Sequence, residues 1–174
     1  MNLKIYRLIL SMSLLAIIGG CGVYSFTGVA ITAETISIQN FYNEAEGGPP
    51  DLAQTFTNKI RDYYQQNTNL ALVRDDGELQ IEGSVVGYRI SPVAATSSGN
   101  NQLADLSALT RLTITINVTY INTQDDAFNF ENKKYSWYED YDSNQSLTAV
   151  EGDLIDQIYD KIILDIFNAS VANW

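Results

Sequence analysis

Asp140, Asp142, Asn144 and Glu151 stand at the first, third, fifth and twelfth places of one short window, the spacing with which a calcium loop collects its oxygen ligands. Leu147 fills the apolar eighth place. Gln145 stands where such a loop needs glycine for its sharp turn, and a strand pattern precedes the window where a helix belongs. The same residues also read as a capping box, Thr148-x-x-Glu151, opening a helix after an Asp/Asn turn. No metal is expected, with calcium at these four residues as the alternative. A second group is basic. Arg89, Arg111, Lys133 and Lys134 fall in strand patterns of a chain with only 10 Lys+Arg against 21 Asp+Glu. Cations in that setting hold phosphate or carboxylate by charge-assisted hydrogen bonds, or serve as solvated ion-pair partners worth little each.

The missing residue types narrow the chemistry further. The 174 residues include no His and one Cys, Cys21. That excludes a Ser-His-Asp triad, an imidazole acid or base, an internal disulfide and a cysteine zinc cluster. A formal net charge of −11 argues against nucleic-acid binding, which needs a basic surface. No phosphate loop, dinucleotide fingerprint or nucleophile elbow is present. The expectation is a binding or structural domain without a cofactor and without enzymatic activity.

The first residues read as an address. Lys4 and Arg7 precede an apolar run from Leu8 to Ile18, shorter than the about 20 residues a spanning helix needs. The run ends in Ile18-Gly19-Gly20-Cys21, an aliphatic residue and two small ones before Cys, as in a bacterial lipobox. Residues 1–20 are expected to be a lipoprotein signal peptide and Cys21 the acylated N-terminus, anchored to a membrane without spanning it. Loss of Lys4 and Arg7 with the leader lowers the net charge from −11 to −13.

The remaining chain carries the elements that must position these groups. Residues 21–34 read as a tether and the approach to a first strand, and residues 35–174 as one domain. Thr35 to Gln39 alternates as a short strand. A helix opens at Asp51, with Asp51-x-x-Gln54 as a capping box and Leu52, Phe56, Ile60 and Tyr63 as its buried stripe. Leu79, Ile81, Val85 and Tyr88 face inward from a strand whose Gly83 and Gly87 suggest a bulge. Residues 92–107 read as an exposed, mobile loop. Leu112 to Tyr120 alternates cleanly, giving one apolar and one wet face. The last strand, Phe128 to Tyr141, places Tyr135, Trp137 and Tyr141 on one face and Phe128, Phe130 and Tyr138 on the other. A final helix buries Val150, Leu154, Ile158 and Ile162. The expected fold is α+β: a two-layer sandwich in the order β-α-β-β-β-α, with two helices on one face of a largely antiparallel four-stranded sheet.

The chain resembles the LptE family of lipopolysaccharide-assembly lipoproteins. The residues carrying the resemblance are Gly20 to Gly28, Gln54 to Thr57, Ile81-Glu82-Gly83 with Tyr88, Arg111 to Ile114, Tyr141 to Leu147 and Val171 to Trp174. The resemblance implies an outer-membrane lipoprotein on the periplasmic side that partners and plugs the LptD β-barrel and contacts lipopolysaccharide. Family contacts to lipopolysaccharide are basic, which makes Arg89, Arg111, Lys133 and Lys134 the candidates by charge and strand position. The alternative is a periplasmic lipoprotein regulating a cell-wall synthase.

Overall fold

Two long apolar stripes and one strictly alternating strand set the architecture, and a computed structural model shows how they meet. It describes residues 32–93 and 109–171. The lipobox with Cys21, most of the 92–107 loop and the Trp174 end lie outside the described residues. The elements are β1 (Thr35–Ile38), β2 (Tyr42–Asn43), α1 (Leu52–Asn67), β3 (Ala71–Val73), β4 (Leu79–Pro92), β5 (Leu109–Asn122), β6 (Phe130–Asp142) and α2 (Leu147–Ser170). The fold class is α+β, as expected. The sheet is larger than expected and mixed: six strands rather than four, in the order β3-β1-β4-β5-β6, with β2 also alongside β4.

The added strands, β2 and β3, both pair in parallel. β1 runs parallel to both β3 and β4, and β2 continues along the same edge of β4. Between β1 and β2 the chain bends over α1, where Phe41 N–H donates to Thr57 Oγ1 at 3.0 Å and Arg61 donates to the Ile38 carbonyl. The link from β3 to β4 then crosses β1. Gly77 lies against the β1 backbone there: a Cβ would meet Ser37 N and stand 2.7 Å from Ile36 C. Asp76 turns the chain with φ of 54°. β4, β5 and β6 form the antiparallel part, with the expected bulge between Val85 and Gly87.

One apolar face of this sheet meets both helices. Leu112, Ile114, Ile116, Val118 and Tyr120 of β5 are all buried, with Leu52, Phe56, Ile60 and Tyr64 of α1 and Leu154, Ile158, Ile162 and Ile166 of α2. Tyr64, rather than Tyr63, completes the α1 stripe at strict four-residue spacing. Its hydroxyl meets Ser170 Oγ at 2.6 Å, so the far ends of the two helices are joined by a buried hydrogen bond. Tyr159 on α2 donates to the Leu52 carbonyl at 3.0 Å, joining α2 to the start of α1. Neither capping box forms. Gln54 donates to Asn58, and Glu151 accepts from Tyr88 instead of reaching back to its own helix start.

Glu78 fastens the start of β1. Its carboxylate accepts from the backbone N–H of Glu34 at 2.5 Å and Thr35 at 3.2 Å, and from Gln124 Nε2 at 2.6 Å. The Glu34 bond is the main cause holding its pKa below the ordinary carboxylate value. A depressed carboxylate contributes stability that is complete above its unfolded pKa and is lost as pH falls through the lower folded value. Glu78→Gln is therefore expected to be less stable than the native chain at pH 7, with the gap closing as pH drops below about 4.5. Urea midpoints across that range measure it.

Candidate anion-contact face

The face of the sheet away from the helices carries the residues that alternate with the core set. On β5 these are Arg111, Thr113, Thr115, Asn117 and Thr119, all half-buried by their neighbours. Register brings Arg89 of β4 opposite Thr113, and Thr113 opposite Tyr138 of β6. Arg111 lies between Ser91 and Asp140, and Lys134 lies opposite Asn117. Three of the four candidate cations thus share this face. Lys133, opposite Val118, is on the other face, with its Nζ 5.1 Å from the ring centroids of both Phe130 and Tyr135.

The rest of the face is a lattice of hydroxyls and amides. Thr115 Oγ1 meets Ser136 Oγ at 2.9 Å, Asn117 Nδ2 donates to Asn132 Oδ1 at 3.1 Å, and Ser84 Oγ donates to Glu44 at 3.0 Å. Among the described residues no third layer covers it, since both helices lie on the opposite face. Such a face can exchange hydrogen bonds with water or with a polar partner surface.

Arg111 is the most structured cation on it. Its Nε and Nη2 donate to the two carboxylate oxygens of Asp140 at 2.7 and 2.8 Å, a bidentate pair. The guanidinium lies over the Tyr138 ring, 3.5 Å from its centroid. The hydrogen bond to Asp140 chiefly raises the Arg111 pKa, and the same bond lowers that of Asp140. The pair is charge-compensated, so Arg111 offers this face hydrogen-bond donors rather than a free positive charge.

That pairing also divides the calcium set. Asp140 is held by Arg111 and Glu151 accepts from Tyr88, while Asp142 Oδ1 accepts from the Asn144 N–H at 2.9 Å in a turn. Among the described residues no three or more His, Cys, Asp or Glu side chains gather as a metal site. In this arrangement Asp142 and Asn144 share a turn, Asp140 pairs with Arg111 and Glu151 with Tyr88.

Two aromatics sit elsewhere than alternation alone predicts: Phe128 lies in a 3-10 turn ahead of β6, and Phe130 is on the opposite face. A register shift between Val118 and Tyr120, with Asn132 at φ 52°, adds a residue to β6 and reverses its alternation. Phe130 therefore joins Tyr120 and Tyr135 on the helix face, at centroid distances of 5.5 and 6.0 Å. The Arg111–Asp140 clamp and its Tyr138 floor were not foreseen as a unit. Only the cross-strand register reveals them, because the partners are 29 residues apart.

The family model for LptE, lipopolysaccharide-assembly, matches residues 33–170. The chain belongs to the LptE family. The match takes in both helices and every strand of the sheet. A search of curated proteins finds no match for the sequence. The hypothetical protein CT253 from Chlamydia trachomatis superposes with a TM-score of 0.53 at 6% identity, over 81% of this chain and 99% of that one. A minor lipoprotein from Acinetobacter baumannii gives a TM-score of 0.49 at 15% identity, over 81% and 92% of the two chains. Lipoprotein B from Nitrosomonas europaea gives 0.49 at 11% identity, over 77% and 79%. The Chlamydia likeness speaks for a shared fold. No helix among the described residues of this LptE-family chain is long and apolar enough to cross a membrane.

Proposed function

We propose that this LptE-family chain is an outer-membrane lipoprotein, acylated at Cys21, that partners and plugs an LptD-like β-barrel in lipopolysaccharide transport. The family match over residues 33–170 carries the reading. The uncovered Thr/Asn/Ser face supports it, because a barrel lumen is polar and a hydroxyl and amide lattice can exchange hydrogen bonds with it. The role asks for no catalytic group. Affinity purification from detergent-solubilised membranes is the test: a stable complex with a large β-barrel protein is expected, and recovery of the acylated protein without any barrel overturns the reading.

Within that role, Arg89, Arg111 and Lys134 form the contact set for lipopolysaccharide phosphates, and Lys133 approaches from the other side of β6. Asp140 moderates Arg111. Asp140→Asn removes the compensating charge while keeping the shape, so it is expected to strengthen binding to lipopolysaccharide several-fold and to steepen its salt dependence. Its effect on stability is expected to stay within about 1 kcal/mol, as for other solvent-facing pairs. Titration with lipopolysaccharide at two salt concentrations, with a thermal melt, measures both.

A further inference from the structure

β6 ends the sheet. β5 pairs with its inner side, and among the described residues no strand pairs with its outer side. It is 13 residues long, about twice the usual strand. Its one irregularity lies near Asn132, so from Lys133 to Asp142 it runs in unbroken register with β5. There is no proline in it. A long, regular edge presents a row of backbone N–H and C=O groups and is a template for another strand. Trp137 and Tyr138 stand beside it, 38% and 46% exposed.

The side chains along this edge are self-complementary. Lys133 and Lys134 sit in its first half, and Glu139, Asp140 and Asp142 in its second. Two copies laid antiparallel with Ser136 at the centre put Lys133 opposite Glu139 twice, Lys134 opposite Tyr138 and Tyr135 opposite Trp137. Opposite charges and aromatic pairs facing one another are what stabilise neighbouring strands. The two adjacent registers are poorer. Centring on Tyr135 sets Glu131 against Glu139, and centring on Trp137 asks Lys134 to share the Asp140 carboxylate that Arg111 already holds. A two-fold arrangement needs one patch that complements itself, and this strand meets that need.

We propose that two copies of this chain pair edge to edge through β6, antiparallel about Ser136, joining their sheets into one. The interface leaves the Arg111–Asp140 clamp intact.

Sedimentation of the full-length protein in detergent, from about 1 to 100 µM, tests it. The native chain is expected to form a dimer. Lys133→Glu and Glu139→Lys should each weaken dimerisation at least about tenfold, and the double swap should restore it. Hydrogen exchange needs no variant: the outward β6 amides should gain protection as concentration rises. A chain that stays monomeric throughout, or a dimer indifferent to both swaps, overturns the proposal. So does β6 protection that appears only on adding a barrel protein, which would make a barrel strand the occupant.

Discussion

Gly83→Ala is expected to cost the domain at least about 3 kcal/mol, at the upper end of overpacking penalties. Gly83 lies mid-way along β4, opposite Val118. A Cβ there would overlap the Asn117 carbonyl oxygen and stand 2.7 Å from Phe41 Cε1. The ring could tilt, but the carbonyl belongs to the β5 backbone and moves only if the strand moves. For a chain of this size such a loss lowers Tm by roughly 6–12 °C. Gly152 provides the control. A Cβ there meets nothing within 4 Å, and alanine is the better helix former, so Gly152→Ala should add about 0.5–1 kcal/mol. Thermal melts of the two variants should therefore move in opposite directions.

Phe56→Ala is expected to cost about 3–5 kcal/mol. Phe56 is fully buried on α1 and packs edge-on against Phe41, at 4.9 Å, and Tyr159 of α2, at 5.1 Å. The cluster joins the bend after β1 to both helices, so the cavity opens where three segments meet and none can close it alone. Native domains have only about 5–15 kcal/mol in total, and the variant should unfold at a much lower urea concentration with a similar m-value. Phe56→Leu keeps much of the volume and should lose less.

The antiparallel half of the fold was legible because its signals are local. Leu112 to Tyr120 alternates without a break, and the glycines of β4 announced the bulge that returns Tyr88 to the core face. The parallel half was not. β3 is three residues long, too short to show a period, and its partner β1 lies across a whole helix. Asp75-Asp76-Gly77 looks the same in sequence whether it turns a hairpin or crosses a strand; what distinguishes them is that Gly77 has a backbone beneath it. The same limit governed the candidate site. Alternation alone puts Arg111 on the wet face, but its compensation by Asp140 depends on register. Phe130 changes faces because of the extra residue beside Asn132, and with asparagine rather than glycine in the left-handed position no residue type marks that bulge in the sequence.

The position of β1 has a mechanical consequence. Under the proposed acylation of Cys21, a pull on the anchor would reach the domain at that end of β1. The strand is flanked on both sides: Thr35–Ser37 pair with Ala71–Val73, and Ile36–Ile38 pair with Leu79–Ile81. Tension along the strand therefore loads two ladders in shear at once, so their bonds must break together rather than unzip one by one. The Glu78 carboxylate, gripping the Glu34 and Thr35 amides, sits where that load enters the sheet.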